Sequence, residues 1–213
     1  MNGNDKKKTV LVLSETNFIL DITFEQAPEC TRLLSLTEEQ GLDIVIPEFS
    51  FAEAEGNITK TLQRRCITID NMLGVLRQSA RSPYQQVTPL ITALEQWKAY
   101  SLSEELVDLH ARMDNLENIV RVIAFSGEIA AQAELRSVRQ LAPFKPTDRN
   151  VYESILQFAR LNQQPALTML FLTRDKADFD FPCIRAELAA LSVELFFSAG
   201  DCIRRIRELV ERD

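Results

Sequence analysis

Four short runs of apolar and β-branched residues punctuate the chain: Thr9 to Leu13, Asp43 to Ile46, Thr168 to Leu172 and Val193 to Phe197. The pattern predicts strands buried on both faces of a sheet, the first and third stopping in abrupt polar stretches and the second at Pro47. Between them, apolar residues at spacings of three and four predict helices. One runs from Pro28 to Gln40, with Pro28 in its first turn and Gly41 as its stop. From about residue 48 to 141 the pattern is almost wholly helical. Thr88 to Tyr100 forms one helix, and Ser101 with Glu104 has the spacing of a capping box for the next. There Leu106, Leu109, Met113, Leu116, Ile119, Val120 and Ile123 make one apolar stripe, which Ser126-Gly127 breaks before Glu128 to Gln140. Thr147 is placed to cap a helix from Asp148 to about Asn162, and further helices are expected over Pro182 to Leu191 and Asp201 to Glu211. Residues 1–8 read as a polar tail. Residues 9–212 read as a single domain with a mostly helical segment at about 60–141.

Strands alternating with helices imply an α/β fold with a mostly parallel sheet covered on both faces. Function in such sheets sits beyond the carboxyl ends of the strands. Acids stand there: Glu15 after the first strand, Glu53 on the helix after the second, Asp175 and Asp178 after the third, and Asp148 at the start of the helix leading to it. Carboxylates that converge repel one another, and a divalent cation relieves that repulsion. An oxygen-only donor set suits Mg²⁺ or Mn²⁺. Such an ion lowers the pKa of a bound water and neutralises phosphoryl and leaving oxygens, so no protein nucleophile is needed.

Composition narrows the alternatives. The net charge of −7 argues against nucleic-acid binding by bulk charge, while leaving room for a local basic track. One histidine, His110, and four scattered cysteines without a C-x-x-C pair exclude zinc-ligand spacing, and the cysteines read as reduced, packed thiols. No apolar run approaches the roughly 20 residues of a membrane span, and MNGNDKKK is no signal peptide, so a cytoplasmic protein is expected.

The residues around the acids resemble a known family. Ser14-Glu15-Thr16-Asn17-Phe18-Ile19-Leu20 is similar to the D-T-N opening of PIN domains, with Glu where that family usually has Asp. Ile44-Val45-Ile46-Pro47 followed by Glu53, Asp148 within Pro146 to Tyr152, and Leu172-Thr173-Arg174-Asp175-Lys176-Ala177-Asp178-Phe179 resemble its later motifs, the last being its T-x-D-x-D-F stretch. The run from Val193 to Asp201 is similar to its last strand and closing turn. The resemblance spans roughly residues 9–60 and 145–210. It implies a three-layer α/β/α sandwich with a parallel sheet of four to five strands. It also implies a Mg²⁺- or Mn²⁺-dependent endoribonuclease acting on single-stranded or structured RNA. Glu15, Glu53, Asp148 and Asp175 would be catalytic and metal-binding, with Asp178 completing the metal site. An antitoxin or other protein partner, and a homodimer, are the associations such proteins suggest. Because Glu15 departs from the pattern, the alternative is an inactive member that binds a partner through its helical middle. A magnesium phosphohydrolase would want a nucleophilic Asp directly after the first strand, and Ser14-Glu15 supplies none.

Residues beside the acids have secondary expectations. Asn17 and Thr173 could orient a ligand or order their loops. Arg149, Arg174 and Lys176 could steer phosphates. Arg64, Arg65, Arg77, Arg81 and Arg139 could extend that track, although Arg outnumbers Lys 17 to 7 throughout and gene composition explains such a bias equally well. Asp21, Glu48 and Glu55 read as solvated, Trp97 as core and His110 as a structural helix residue.

Overall fold

The computed structural model describes residues 9–40, 42–79 and 87–211. The tail, Gly41 and Arg81 lie outside them. Five parallel strands form one sheet in the order β3-β2-β1-β4-β5. They are β1 (Thr9–Leu13), β2 (Asp43–Pro47), β3 (Arg121–Ile123), β4 (Leu167–Leu172) and β5 (Val193–Phe196). The helices are α1 (Thr16–Thr23), α2 (Pro28–Gln40), α3 (Glu48–Ser79), α4 (Thr88–Leu102), α5 (Glu104–Ile119), α6 (Gly127–Val138), α7 (Pro146–Leu161), α8 (Lys176–Phe179), α9 (Pro182–Ala190) and α10 (Ala199–Val210).

The strand residues alternate between two cores, as the period of two demands. Val10, Val12, Ile44, Ile46, Leu170 and Leu172 pack against α1, α2, α3, α5 and α10 on one face. Leu11, Leu13, Val45, Met169, Phe171 and Val193 pack against α7, α8 and α9 on the other, around the fully buried rings of Tyr152 and Phe179. The result is an α/β/α sandwich. The chain leaves β1 for β2 and β3, then returns to β4 and β5 on the other side. The switch in direction therefore falls between β1 and β4, and it opens a crevice at their carboxyl ends.

Three local expectations differ. Val120 ends α5 in extended backbone, and Arg121 to Ile123 leave the α5 stripe to become β3, pairing with Val45, Ile46 and Pro47 of β2. Ser101 does not cap α5. It lies inside α4 and its hydroxyl donates to Glu105 Oε2 at 2.6 Å. Thr147 does not cap α7 either. Lys145 holds the cap position without a side-chain hydrogen bond, and Pro146 opens the helix with its preset φ.

The helical middle is held by charge as well as packing. Arg65 pairs with Glu105, Arg77 with Glu95, and Lys98 with Asp70 at 2.6 Å. Arg65 also sits over the Trp97 ring, which is about half exposed rather than core. Two members of the expected arginine track thus join helix to helix.

Candidate metal centre

The crevice is built from the ends of β1 and β4. Ser14 donates its N–H to Val45 O at 2.9 Å and its hydroxyl to Leu172 O at 3.0 Å, so the end of β1 is tied to both neighbours. Glu15 follows and caps α1, accepting from Asn17 N–H at 2.8 Å. On β4's side, Thr173 Oγ1 accepts from Asp175 N–H at 3.1 Å, and Asp175 Oδ1 accepts from Asp178 N–H at 3.1 Å to cap the short α8. These local bonds turn the polar run after β4 into a bracket that presents both aspartates.

Asp148, in the first turn of α7, completes the group. Oxygens of Asp148, Asp175 and Asp178 all lie within 4.8 Å of one another. Asp148 has its pKa pushed up to about 6, first by burial and next by the charge of Asp178, with Glu53 and Asp175 adding to it. Glu53, reaching in from α3, is fixed by the Thr16 hydroxyl, which donates to its Oε2 at 2.5 Å. Thr16 is a positioning side chain within the motif, and its partner Glu53 lies 37 residues away, out of reach of any local signal.

Glu15 stands apart from the trio. It is 5% exposed, and burial pushes its pKa up to about 7 against the donors around it, led by the Asn17 N–H. Its Oε1 is buried without a hydrogen-bond partner. With Asn17, Asp21, Cys30, Thr173 and Arg174 it lines a cavity of about 20 Å³.

Two side chains occupy unexpected places. Asp21, expected in solvent, is buried. It pairs with Arg174 and accepts from the Cys30 thiol, whose pKa is pushed up to about 12 by burial and by that carboxylate. Lys145 is not among the residues the motifs point to. Its Nζ lies 3.8 Å from Asp148 and 3.7 Å from Asp175 and is hydrogen-bonded to Asp178. No motif announces it, because its position depends on the loop before α7 folding over the acids.

The flanking cations are partly engaged elsewhere. Lys176 Nζ rests 5.4 Å from the centre of the Phe197 ring, and Arg149 donates to Phe144 O. Glu48 accepts from Phe125 N–H at 2.7 Å, and Glu55 is exposed.

The donor set fits a divalent ion. It is oxygen-only, it is crowded enough to raise Asp148, and Asp148 Oδ2 is buried with no hydrogen bond made to it. The four cysteines are unpaired and take no part.

The sequence model of the PIN domain matches residues 12–179, well over half the chain. The chain therefore belongs to the PIN domain family, a family of nuclease type. Among solved structures it is similar to a chain of the VapBC2 complex from Rickettsia felis bound to a DNA fragment from its promoter. The identity is 12%, the match covers 87% of this chain and 98% of the other, and the TM-score is 0.46. No curated protein matches the sequence. No helix among the described residues is long and apolar enough to cross a membrane.

Proposed function

We propose that this protein is a metal-dependent endoribonuclease that hydrolyses RNA phosphodiester bonds. The observation that carries the reading is the closure of Asp148, Asp175 and Asp178 at the β1/β4 switch point, with a buried Asp148 oxygen left without a donor. Glu53, Asp148 and Asp175 would hold Mg²⁺ or Mn²⁺, Thr16 positioning Glu53. When bound, such an ion supplies an activated water and neutralises the phosphoryl oxygens.

The chain's own residues do the remaining work. Thr173 and the α8 turn keep Asp175 and Asp178 facing the crevice. Asn17 steadies Glu15 at the head of α1, close to the site though outside the trio. Arg149, Arg174 and Lys176 rim the acids and attract the phosphate backbone against the overall negative charge. The surroundings we assign are cytoplasmic.

The test is RNA cleavage in Mn²⁺ by the wild type and by Asp175→Asn. Asparagine can still cap α8, so the fold is kept. Turnover should fall roughly a hundredfold or more, since a lost ligand weakens an ion contributing several kcal/mol of charge stabilisation. Undiminished turnover by a clean preparation would remove the mechanism.

One observation favours a second reading, an inactive member that binds a protein partner such as an antitoxin or a second copy. The Glu15 carboxylate is turned into the start of α1 instead of joining the trio. An apolar groove of about 490 Å³, lined by Met72, Leu76, Leu90 and Leu94, supports the helical segment as the face such a partner would take. A melting temperature indifferent to millimolar Mn²⁺ would decide for this reading.

A further inference from the structure

The rim that carries the acids also carries phenylalanines, in two pairs. Phe49 and Phe125 stand just after β2 and β3, with ring centres 5.4 Å apart. Phe144 and Phe181 stand just before α7 and just after α8, 5.4 Å apart and edge to face. Each pair adjoins the acids. Phe49 lies one turn before Glu53 on α3, hence on the same face, and Thr16 holds Glu53 at the end of β1. Phe144 precedes Lys145, whose ammonium is bonded to Asp178, and Phe181 lies three residues past that aspartate.

Within each pair one ring is an anchor and the other is displayed. Phe49 and Phe181 are partly buried, packed against the core around Tyr152 and Phe179. Phe125 is 38% exposed and Phe144 54%. Both displayed residues have their backbones fixed by a charged side chain: Phe125 N–H donates to Glu48 at 2.7 Å, and Phe144 O accepts from Arg149. A single exposed ring is ordinary on a protein surface. Two that are each backed by a second ring, fixed by a hydrogen bond and set beside one acidic crevice call for a common cause. Phe197, after β5, gives the contrast, for Lys176 and Arg185 cover it at 5.4 and 5.7 Å from its centre. Among the described residues no cation lies over Phe125 or Phe144.

We propose that Phe125 and Phe144 are stacking platforms for the unpaired bases of a single-stranded RNA, gripping bases on either side of the phosphate presented to the acids. The inference rests on the nuclease reading and names its substrate class. A ring can stack only on a base whose own face is free, so a duplex, whose bases cover one another, is a poor occupant. Every base has a π face, so the platforms select strandedness and not sequence. Stacking also supplies affinity that a chain of net charge −7 cannot draw from bulk attraction. The rings are separated by the acids and by Lys145. That suits a strand of alternating base and phosphate better than a protein partner, whose contact core is depleted of charge.

The experiment is binding to the full chain in Ca²⁺, an ion that takes carboxylate oxygens. It is read by the anisotropy of an end-labelled short oligouridylate, of its duplex with oligoadenylate, and of a ribose-phosphate strand of the same length without bases. Wild type should bind the oligouridylate roughly tenfold or more tightly than either of the others. Phe125→Leu and Phe144→Leu keep apolar bulk at exposed positions. Each should weaken oligouridylate binding about tenfold and leave the baseless strand unchanged, while Phe125→Tyr and Phe144→Tyr, which keep the ring, should bind as wild type does. Equal wild-type affinity for strands with and without bases, or unchanged oligouridylate binding in either leucine variant, would overturn the proposal and leave the rings to a protein partner. Cleavage by wild type in Mn²⁺, measured on the same preparation, decides the nuclease reading separately.

Discussion

The helix α7 borders two clusters of charge, and they are finished differently. Further along it, Glu153 meets the buried Arg136, whose Nε donates to Glu153 Oε1 at 2.6 Å. Nη1 donates to Ala142 O at 2.6 Å, Nη2 to Glu187 Oε2 at 2.8 Å, and the guanidinium lies 4.7 Å from the Tyr152 ring centre. Tyr152 adds its own hydroxyl to Glu187 at 3.0 Å, and burial with the Glu187 charge keeps that hydroxyl un-ionised. At the head of the same helix, three aspartates and the nearby Glu53 face a single lysine, and one oxygen is left without a donor. A buried charge with every partner supplied belongs to the scaffold. A carboxylate cluster short of cations is unfinished, and a ligand can finish it.

That contrast can be broken first at Arg136. Replacing it with Met leaves Glu153 buried and unpaired, and should cost about 3–5 kcal/mol in urea unfolding. A loss below about 1 kcal/mol would mean the network is not the rigid member of the pair.

Glu15 offers the next largest effect. Its pKa is raised from 4.5 to about 7, so between those values the folded chain holds a proton that the unfolded chain releases. Its contribution to stability is full below pH 4.5 and is lost as pH rises through 7. Glu15→Gln should flatten that slope and make the metal-free protein more stable than wild type at pH 8, by on the order of 3 kcal/mol. Parallel unfolding curves at pH 5 and pH 8 check it, and an unchanged slope would place the titration elsewhere.

Metal addition should then act on the acidic cluster alone. At Mn²⁺ a hundredfold above its dissociation constant, stabilisation of about 2.7 kcal/mol is expected, seen as a rise in melting temperature. Arg136→Met should keep the increment on its lower baseline, and Asp175→Asn should lose it.

The last effect sharpens the comparison most. Asp148→Asn relieves repulsion in a cluster that has too few cations, so without metal at pH 8 it should stabilise, by up to about 3 kcal/mol. Destabilisation of the same size would show that Lys145 already balances the site.

The acids and four of the five strands were legible in the sequence because their signals are local. A run such as Thr168 to Leu172, ending in Thr173-Arg174-Asp175, carries both strand and bracket in adjacent residues. β3 escaped because Val120 and Ile123 continue the spacing of the α5 stripe, and only pairing with β2 distinguishes the strand. α1 escaped because it starts directly after the strand with neither Gly nor Pro as punctuation, capped by Glu15, an acid whose place in the motif points to a metal ligand. Asp21 and Lys145 were illegible for a different reason. Their partners, Arg174 and the aspartates, are brought to them by tertiary folding from distant or non-helical positions.

The uninterrupted α3 has a mechanical consequence. Its 32 residues make a rod about 48 Å long at 1.5 Å per residue, with Glu53 in the second turn, roughly 8 Å from its start. With the pivot where the rod meets the sheet, tilting its far end by about 3 Å would displace Glu53 by only about half an ångström, by proportion along that length. A protein gripping the outer tip therefore gains almost no leverage on the carboxylate. Control of the crevice from that end would need the rod to bend or break between tip and base.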